Sequence, residues 1–249
     1  MLPIRDHNPS RNAPFVTWGL IAANVLIFLG YWPLFQDEAA LNAFFRQWAL
    51  YPAAVTEYGE VGGLVTSMFL HGGLMHLAGN MLFLWIFGDN LEDEMGHFGF
   101  LVFYLAAGVA AGLTHVAADP ASVIPTVGAS GAIAGVMGGY LLLFPKAKVD
   151  ILLILIIFFR IFPVPAWVML GVWFGLQLMG GFGAQTDTDG VAYWAHAGGF
   201  VAGVALALPL FLRLGGMAFW TRTEGHPPHA AATYPAVLSG VPRAGRRRG

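Results

Sequence analysis

The 249-residue chain contains no cysteine, which excludes disulfide staples, thiolate metal sites and a cysteine nucleophile. Charge is scarce too. Asp, Glu, Lys and Arg make up 10% of the residues, against about 25% in an ordinary soluble domain. The net charge is −2, far from the basic footprint of a nucleic-acid binder, so no nucleic-acid partner is expected. A His-Glu-x-x-His run is missing, and the acidic residues on the side of His71, His76 and His196 fall in loops. No metal and no other cofactor is therefore expected. Met1 to Pro14 is polar and no small-residue cleavage site follows the first apolar run, which predicts a retained first span rather than a cleaved signal.

What the chain has is apolar sequence, 57% of all residues. A membrane-spanning helix needs about 20 apolar residues, and six segments qualify: 15–35, 73–88, 97–118, 128–144, 164–182 and 191–212. The second and fourth are short, as suits elements that stop below the membrane surface or a bundle set in a locally thinned bilayer. The expected fold is an all-α membrane protein, a bundle of six transmembrane helices with a long first outside loop. Its expected organisation is an N-terminal segment 1–14, a membrane domain 15–213 and a disordered tail 214–249, poor in apolar residues. The run Ile151 to Phe159 is too short to span and is followed by Arg160, Pro163 and Pro165; an interfacial or buried excursion is expected there. Between 36 and 72, Leu41, Phe44, Phe45 and Trp48 interleave with Asp37, Glu38 and Arg46. That pattern fits an amphipathic helix in the interface or an ordinary packed loop.

Cytoplasmic loops are enriched in Lys and Arg. Placing both termini in the cytoplasm puts every Lys and Arg inside except Arg46. Glu92, Asp93 and Glu94 then suit the positive N-terminal end of the third helix. With six alternating spans, helices two, four and six begin on the outer side. Ser130 falls in the first turn of the fourth, His76 and Asn80 in the first two turns of the second, and His196 near the start of the sixth. At 1.5 Å per residue all four occupy one layer, on the order of 5 to 10 Å below the outer surface.

Gly131, Gly135 and Gly139 repeat every four residues and leave a groove for close backbone approach. Ala192, His196, Gly199, Gly203 and Ala207 form a matching seam on the sixth span, so packing the two brings the imidazole to the hydroxyl. Taken alone, Ser130 also reads as a packing residue and His196 as a polar group bonded across helices. Their common depth favours a nucleophile and its base, since ionisable groups in a bilayer are expensive. His76 and Asn80, at i and i+4, share one face and can donate to an oxyanion formed at Ser130; holding a loop or a buried water is their alternative. A structural role is expected for His71.

In this order on six spans, Gly128-Ala-Ser-Gly131, His71-x4-His76-x3-Asn80, Ala195-His-x-x-Gly199-x3-Gly203 and Glu92-x3-Gly96-x3-Phe100 resemble the rhomboid family of intramembrane serine proteases. The resemblance covers roughly residues 15 to 212. It implies that Ser130 is the nucleophile and His196 the general base and later acid, a dyad without a carboxylate. The Ser130 N–H, His76 and Asn80 would form the oxyanion hole, with Gly128, Gly131, Gly199 and Gly203 as structural neighbours. Implied substrates are transmembrane segments of single-pass proteins in the bilayer, cleaved near the outer face at a small P1 residue. The helix carrying Trp167, Trp173 and Phe174 resembles the family's lateral gate. Many members carry an aromatic residue four positions after the serine, against the histidine ring; Ala134 stands there instead, so another group must orient His196. The Trp-Arg pair common in the first outside loop is also missing.

Two competing readings exist. A non-cleaving relative that binds transmembrane segments for quality control would lose the serine or histidine, or place a proline before the serine; this chain has Ala129, Ser130 and His196. A small transporter would place polar residues on both leaflet sides, whereas the inner halves of these spans are apolar. With neither a transit peptide nor a seventh span, the expected location is a bacterial inner (plasma) membrane.

Overall fold

A computed structural model describes residues 2–155, 158–183, 191–230 and 232. Among them, four helical stretches are long and apolar enough to cross a membrane: Phe15–Gln36, Leu74–Ala118, Ala166–Gly183 and Tyr193–Arg213. The first comprises helix α1 (Phe15–Tyr31) and a 3-10 extension (Trp32–Gln36). Three short helices follow, α2 (Glu38–Trp48), α3 (Pro52–Tyr58) and α4 (Gly63–Thr66). Asp37 opens α2 by accepting the Ala40 N–H, an N-cap of the usual kind. On its inner side Phe45 is buried and Phe44 stacks on Tyr31 at 4.9 Å.

Helix α5 (Leu74–Ala118) runs for 45 residues but leaves helical geometry at Gly96, where φ is 71° and ψ is 161°. A side chain would be strained at that φ. A straight helix would separate His76 from His115 by almost 60 Å, yet both line one cavity. The arms 74–95 and 97–118 therefore double back on each other at Gly96. Helix α6 (Ser130–Leu143) is apolar but has only 14 residues. Helices α7 (Ala166–Gly183) and α8 (Tyr193–Arg213) complete the bundle.

Glycine brings α6 and α8 together along the predicted seam. A Cβ on Gly199 would lie 2.1 Å from the Gly131 carbonyl oxygen, and one on Gly203 would lie 2.0 Å from that of Gly135. The two backbones are in direct contact, which any larger residue would prevent. Towards the other end of α6 the core turns aromatic, with Phe87, Tyr140 and Phe144 in edge-to-face succession.

Several expectations need correcting. The fold is not all-α: strands β1 (Leu2–Asp6), β2 (Lys148–Leu155) and β3 (Phe158–Pro165) form an antiparallel sheet in the order β1-β2-β3. The run expected as an excursion is a β-hairpin, in keeping with the strand preference of isoleucine and phenylalanine. Within the N-terminal segment, β1 pairs with β2 and Asp150 binds both Arg5 and His7 at 2.7 Å. Glu92 pairs with His97 at the start of the 97–118 arm, Oε1 to Nδ1 at 2.6 Å, but the helix start whose N–H groups it accepts is that of α1. Its carboxylate accepts the N–H groups of Val16 and Thr17 and the Thr17 hydroxyl, each at 2.8 Å. Those N–H groups lack intrahelical partners, and a buried carboxylate satisfies them better than solvent at the mouth of its own helix.

The tail expected to be disordered instead continues as helix α9 (Met217–Thr223). Phe219 is buried against Phe144 and Phe211, and Trp220 Nε1 donates to the Leu142 carbonyl at 3.0 Å. Docking on α6 and α8 supplies the apolar contact that the tail lacks by itself. The rest of the expected disorder, including Arg243 and Arg246 to Arg248, lies outside the described residues.

Candidate active site

Gly128 sets up the mouth of α6. Its φ is 137°, a conformation open to glycine, and a Cβ there would lie 2.9 Å from the His76 Cε1 and Nε2 atoms. The Gly128 N–H donates to the Ser67 carbonyl at 2.9 Å, tying this turn to the segment before α5. Ser130 follows as the first residue of α6, where backbone N–H groups have no intrahelical acceptor and point outward.

From the α8 seam, His196 places its Nε2 2.7 Å from the Ser130 Oγ. The Ser130 and His196 pairing expected from the two small-residue faces is thus in hydrogen-bond contact. On its other edge, Nδ1 of His196 lies 2.8 Å from Oε1 of Gln177 on α7. Trp173, one turn earlier on α7, inclines its ring towards the imidazole, with centroids 5.9 Å apart and planes at 36°. Ala134 is fully buried, and the aromatic neighbour of the imidazole comes from α7 rather than α6. Gln177 went unnoticed in the sequence. A signal was there: it is the one amide or ionisable side chain in an otherwise apolar helix, and such groups rarely sit in a bilayer without a purpose.

His76 turns its Nε2 edge towards Gly128, while Nδ1 accepts the Gly72 N–H at 3.3 Å. An accepting Nδ1 requires the proton on Nε2, so His76 presents a donor on the Gly128 side. Asn80 is not brought to the cavity wall. Its amide nitrogen donates to the His76 carbonyl at 2.8 Å, leaving one amide proton uncommitted. His71 is fully buried, and neither of its ring nitrogens has a hydrogen-bond partner among the described residues. Its backbone N–H and carbonyl both bond the Tyr31 hydroxyl, at 2.7 and 2.8 Å, and its ring packs edge-on to His76 at 5.1 Å.

Ser130, His196 and His76 line one cavity of about 470 Å³, as do His115 and Thr126. His115 Nε2 and the Thr126 hydroxyl are 2.8 Å apart. Among the described residues no group of three His, Asp or Glu side chains is placed to hold a metal ion. The arrangement therefore joins a hydroxyl, an imidazole with a fixed partner on each ring nitrogen, a helix start and a second imidazole donor around one cavity. That combination is what acyl transfer requires.

The Rhomboid domain family profile matches residues 58–213, which takes in Ser130, His196 and His76. The chain belongs to the rhomboid family. Rhomboid protein 1, mitochondrial, of Saccharomyces cerevisiae is 32% identical over 195 residues, covering 76% of this chain and 51% of that protein. RHOMBOID-like protein 5 of Arabidopsis thaliana is 32% identical over 64% of this chain and 47% of its own length. Rhomboid protease GluP of Bacillus subtilis is 42% identical over a shorter stretch, 33% of this chain and 16% of that protein. The chain thus spans about half the length of the first two relatives. Family membership, with four membrane-length helices, makes it an integral membrane protein of the rhomboid type.

Proposed function

We propose that this rhomboid is an intramembrane serine endopeptidase that cleaves transmembrane segments of single-pass proteins. The observation that carries the proposal is the 2.7 Å contact between Ser130 Oγ and His196 Nε2 at the open end of a short helix. His196 Nε2 takes the hydroxyl proton as Oγ bonds to the scissile carbonyl carbon. The resulting oxyanion is held by the N–H of Ser130 and the His76 Nε2–H, in a site of low dielectric, while Asn80 bonds the His76 carbonyl from behind. Collapse breaks the C–N bond, and His196 returns the proton to the departing amine. Water reaching the cavity then attacks the acyl-enzyme, with His196 again as base.

The membrane arrangement belongs to the same proposal. Counting the two arms of α5 separately, and α6 as a short span of about 21 Å, gives six crossings. The sheet and α9 lie at the end opposite the dyad, together with Arg5, Arg11, Lys146, Lys148, Arg160, Arg213 and Arg222. The enrichment of cytoplasmic loops in basic residues puts that end in the cytoplasm and the dyad near the outer face of a bacterial inner membrane. Substrates reach it within the bilayer and must locally unwind, so glycine or proline in their helices favours cleavage.

A fluorophosphonate probe on the detergent-solubilised protein tests the reading. Labelling is expected in the wild type, absent in Ser130→Ala and unaffected by EDTA, with substrate cleavage lost in His196→Ala. Labelling that survives Ser130→Ala would overturn it. A protein that binds transmembrane segments without ever labelling would point to the non-cleaving alternative.

A further inference from the structure

We infer that Gln177 is the positioning residue of His196: it takes the place of the missing carboxylate and of the missing aromatic at Ala134, and it does so from α7. The inference rests on the proposed dyad.

A carboxamide presents a donor at one end and an acceptor at the other, so its orientation decides what it does to an imidazole. In Gln177 that orientation is set within its own helix. Nε2 points back to the Trp173 carbonyl one turn earlier, at 3.4 Å, and Oε1 is left facing His196 Nδ1 at 2.8 Å. An accepting Oε1 requires the proton to be on Nδ1. The lone pair is then on Nε2, facing the Ser130 hydroxyl at 2.7 Å. Without this acceptor the imidazole is free to carry its proton on Nε2, where it faces the hydroxyl as a donor and cannot act as a base. In soluble serine proteases the wrong tautomer costs up to about 10⁴-fold in kcat. Because the amide is neutral, it selects the tautomer without the charge that a carboxylate would add to favour imidazolium.

The geometry also ties the base to the seating of α7. Only Ala166 and Leu170 of this helix are buried, and its later turns expose Leu176, Met179 and Phe182. Near the dyad it is held to α8 mainly by rings, Phe174 stacking on Phe200 at 4.7 Å and Trp173 tilting over it at 6.0 Å. Moving α7 away from α8 by little more than 1 Å takes Oε1 out of hydrogen-bond range of Nδ1. The base is then correctly protonated only while α7 is docked.

The test compares the pH dependence of kcat for wild type, Gln177→Met and Gln177→Glu on one transmembrane substrate in detergent. Met keeps the length and removes the acceptor. Glu keeps the acceptor and adds a negative charge next to Nδ1–H. Expected are a fall in kcat of at least about tenfold for Met with little change in KM, and activity in Glu whose acid limb moves to higher pH. An opposite charge within about 4 to 6 Å shifts a titration by roughly one to three units. The other titratable groups around the same cavity, His76, His115, Asp119 and Tyr193, are identical in all three proteins. Ring ¹⁵N shifts of His196 should report Nδ1–H in wild type and a tautomer mixture in Gln177→Met.

Unchanged kcat in Gln177→Met would overturn the inference, as would an acid limb in Gln177→Glu that stays with wild type. If Gln177→Met fails to fold, the Gln177→Glu limb decides alone. A wild type that never labels with fluorophosphonate removes the dyad itself; labelling with indifferent Gln177 variants removes only the role of Gln177.

Discussion

Gly199→Ala adds one methyl group to the seam between α6 and α8, one turn from His196, and its effect can be worked out from contacts. The new Cβ would meet the Gly131 carbonyl oxygen at 2.1 Å, its carbonyl carbon at 3.0 Å and the Ala111 Cβ at 3.2 Å. An ordinary carbon–oxygen contact is a little over 3 Å, so α6 and α8 must separate by about 1 Å, because backbone atoms on both sides cannot rotate out of the way. Ser130 and Gly131 are neighbours on α6, and His196 lies one turn before Gly199 on α8. The same separation stretches the dyad contact from 2.7 Å to about 3.7 Å, outside hydrogen-bond range. Overpacking of this kind costs about 1 to 3 kcal/mol of stability, and a 1 Å misplacement costs about 10²-fold in rate. The assay is the rate constant of fluorophosphonate labelling with a parallel thermal melt. Gly30→Ala, where an added Cβ meets nothing within 4 Å, serves as control and should label like wild type. A Gly199→Ala protein that labels at the wild-type rate would refute the claim that backbone contact in this seam positions the dyad.

Gly128→Ala is expected to lose labelling by at least about tenfold, since it strains a φ of 137° and drives a methyl group onto the His76 ring; a wild-type labelling rate would contradict this. Glu92→Gln should lower stability by on the order of 3 kcal/mol, the value of charge-assisted hydrogen bonds to the start of α1, as read from detergent-resistant melting. Burial, followed by the nearby Asp89 charge, raises the Asp6 carboxyl to about 8. Its folded value exceeds the ordinary 3.8, so its contribution to stability is fully present below about pH 4 and is lost as pH rises towards 8. Melting midpoints should therefore fall across that range in wild type, and Asp6→Asn should flatten the slope; an equal slope in both proteins would rule out Asp6 as its source.

Much of the site was legible because bilayer chemistry is restrictive. A serine between glycines, a histidine on a small-residue face and a His-Asn pair at i, i+4 stand out where nearly every other side chain is apolar. The hairpin of β2 and β3 was harder, since a short apolar run has no periodicity to separate strand from helix; pairing with β1, about 145 residues away, decides it. Gln177 was passed over because a single polar residue carries no spacing pattern. The folding of 217–223 escaped notice because the surface that stabilises α9 belongs to α6 and α8.

Composition and the order of motifs alone determined that this is a membrane protein, that no thiol takes part, and that a serine and a histidine could meet at one depth. These follow from local rules: helix rise per residue, the cost of burying charge, and the small size of glycine. Only the tertiary structure decided which group faces each nitrogen of His196, which helix start Glu92 caps, and that α7 rather than α6 supplies the Nδ1 partner and the aromatic neighbour of the imidazole. Hydrogen bonds select direction as well as distance, and direction depends on how separate helices rotate and seat against one another, which no single segment encodes.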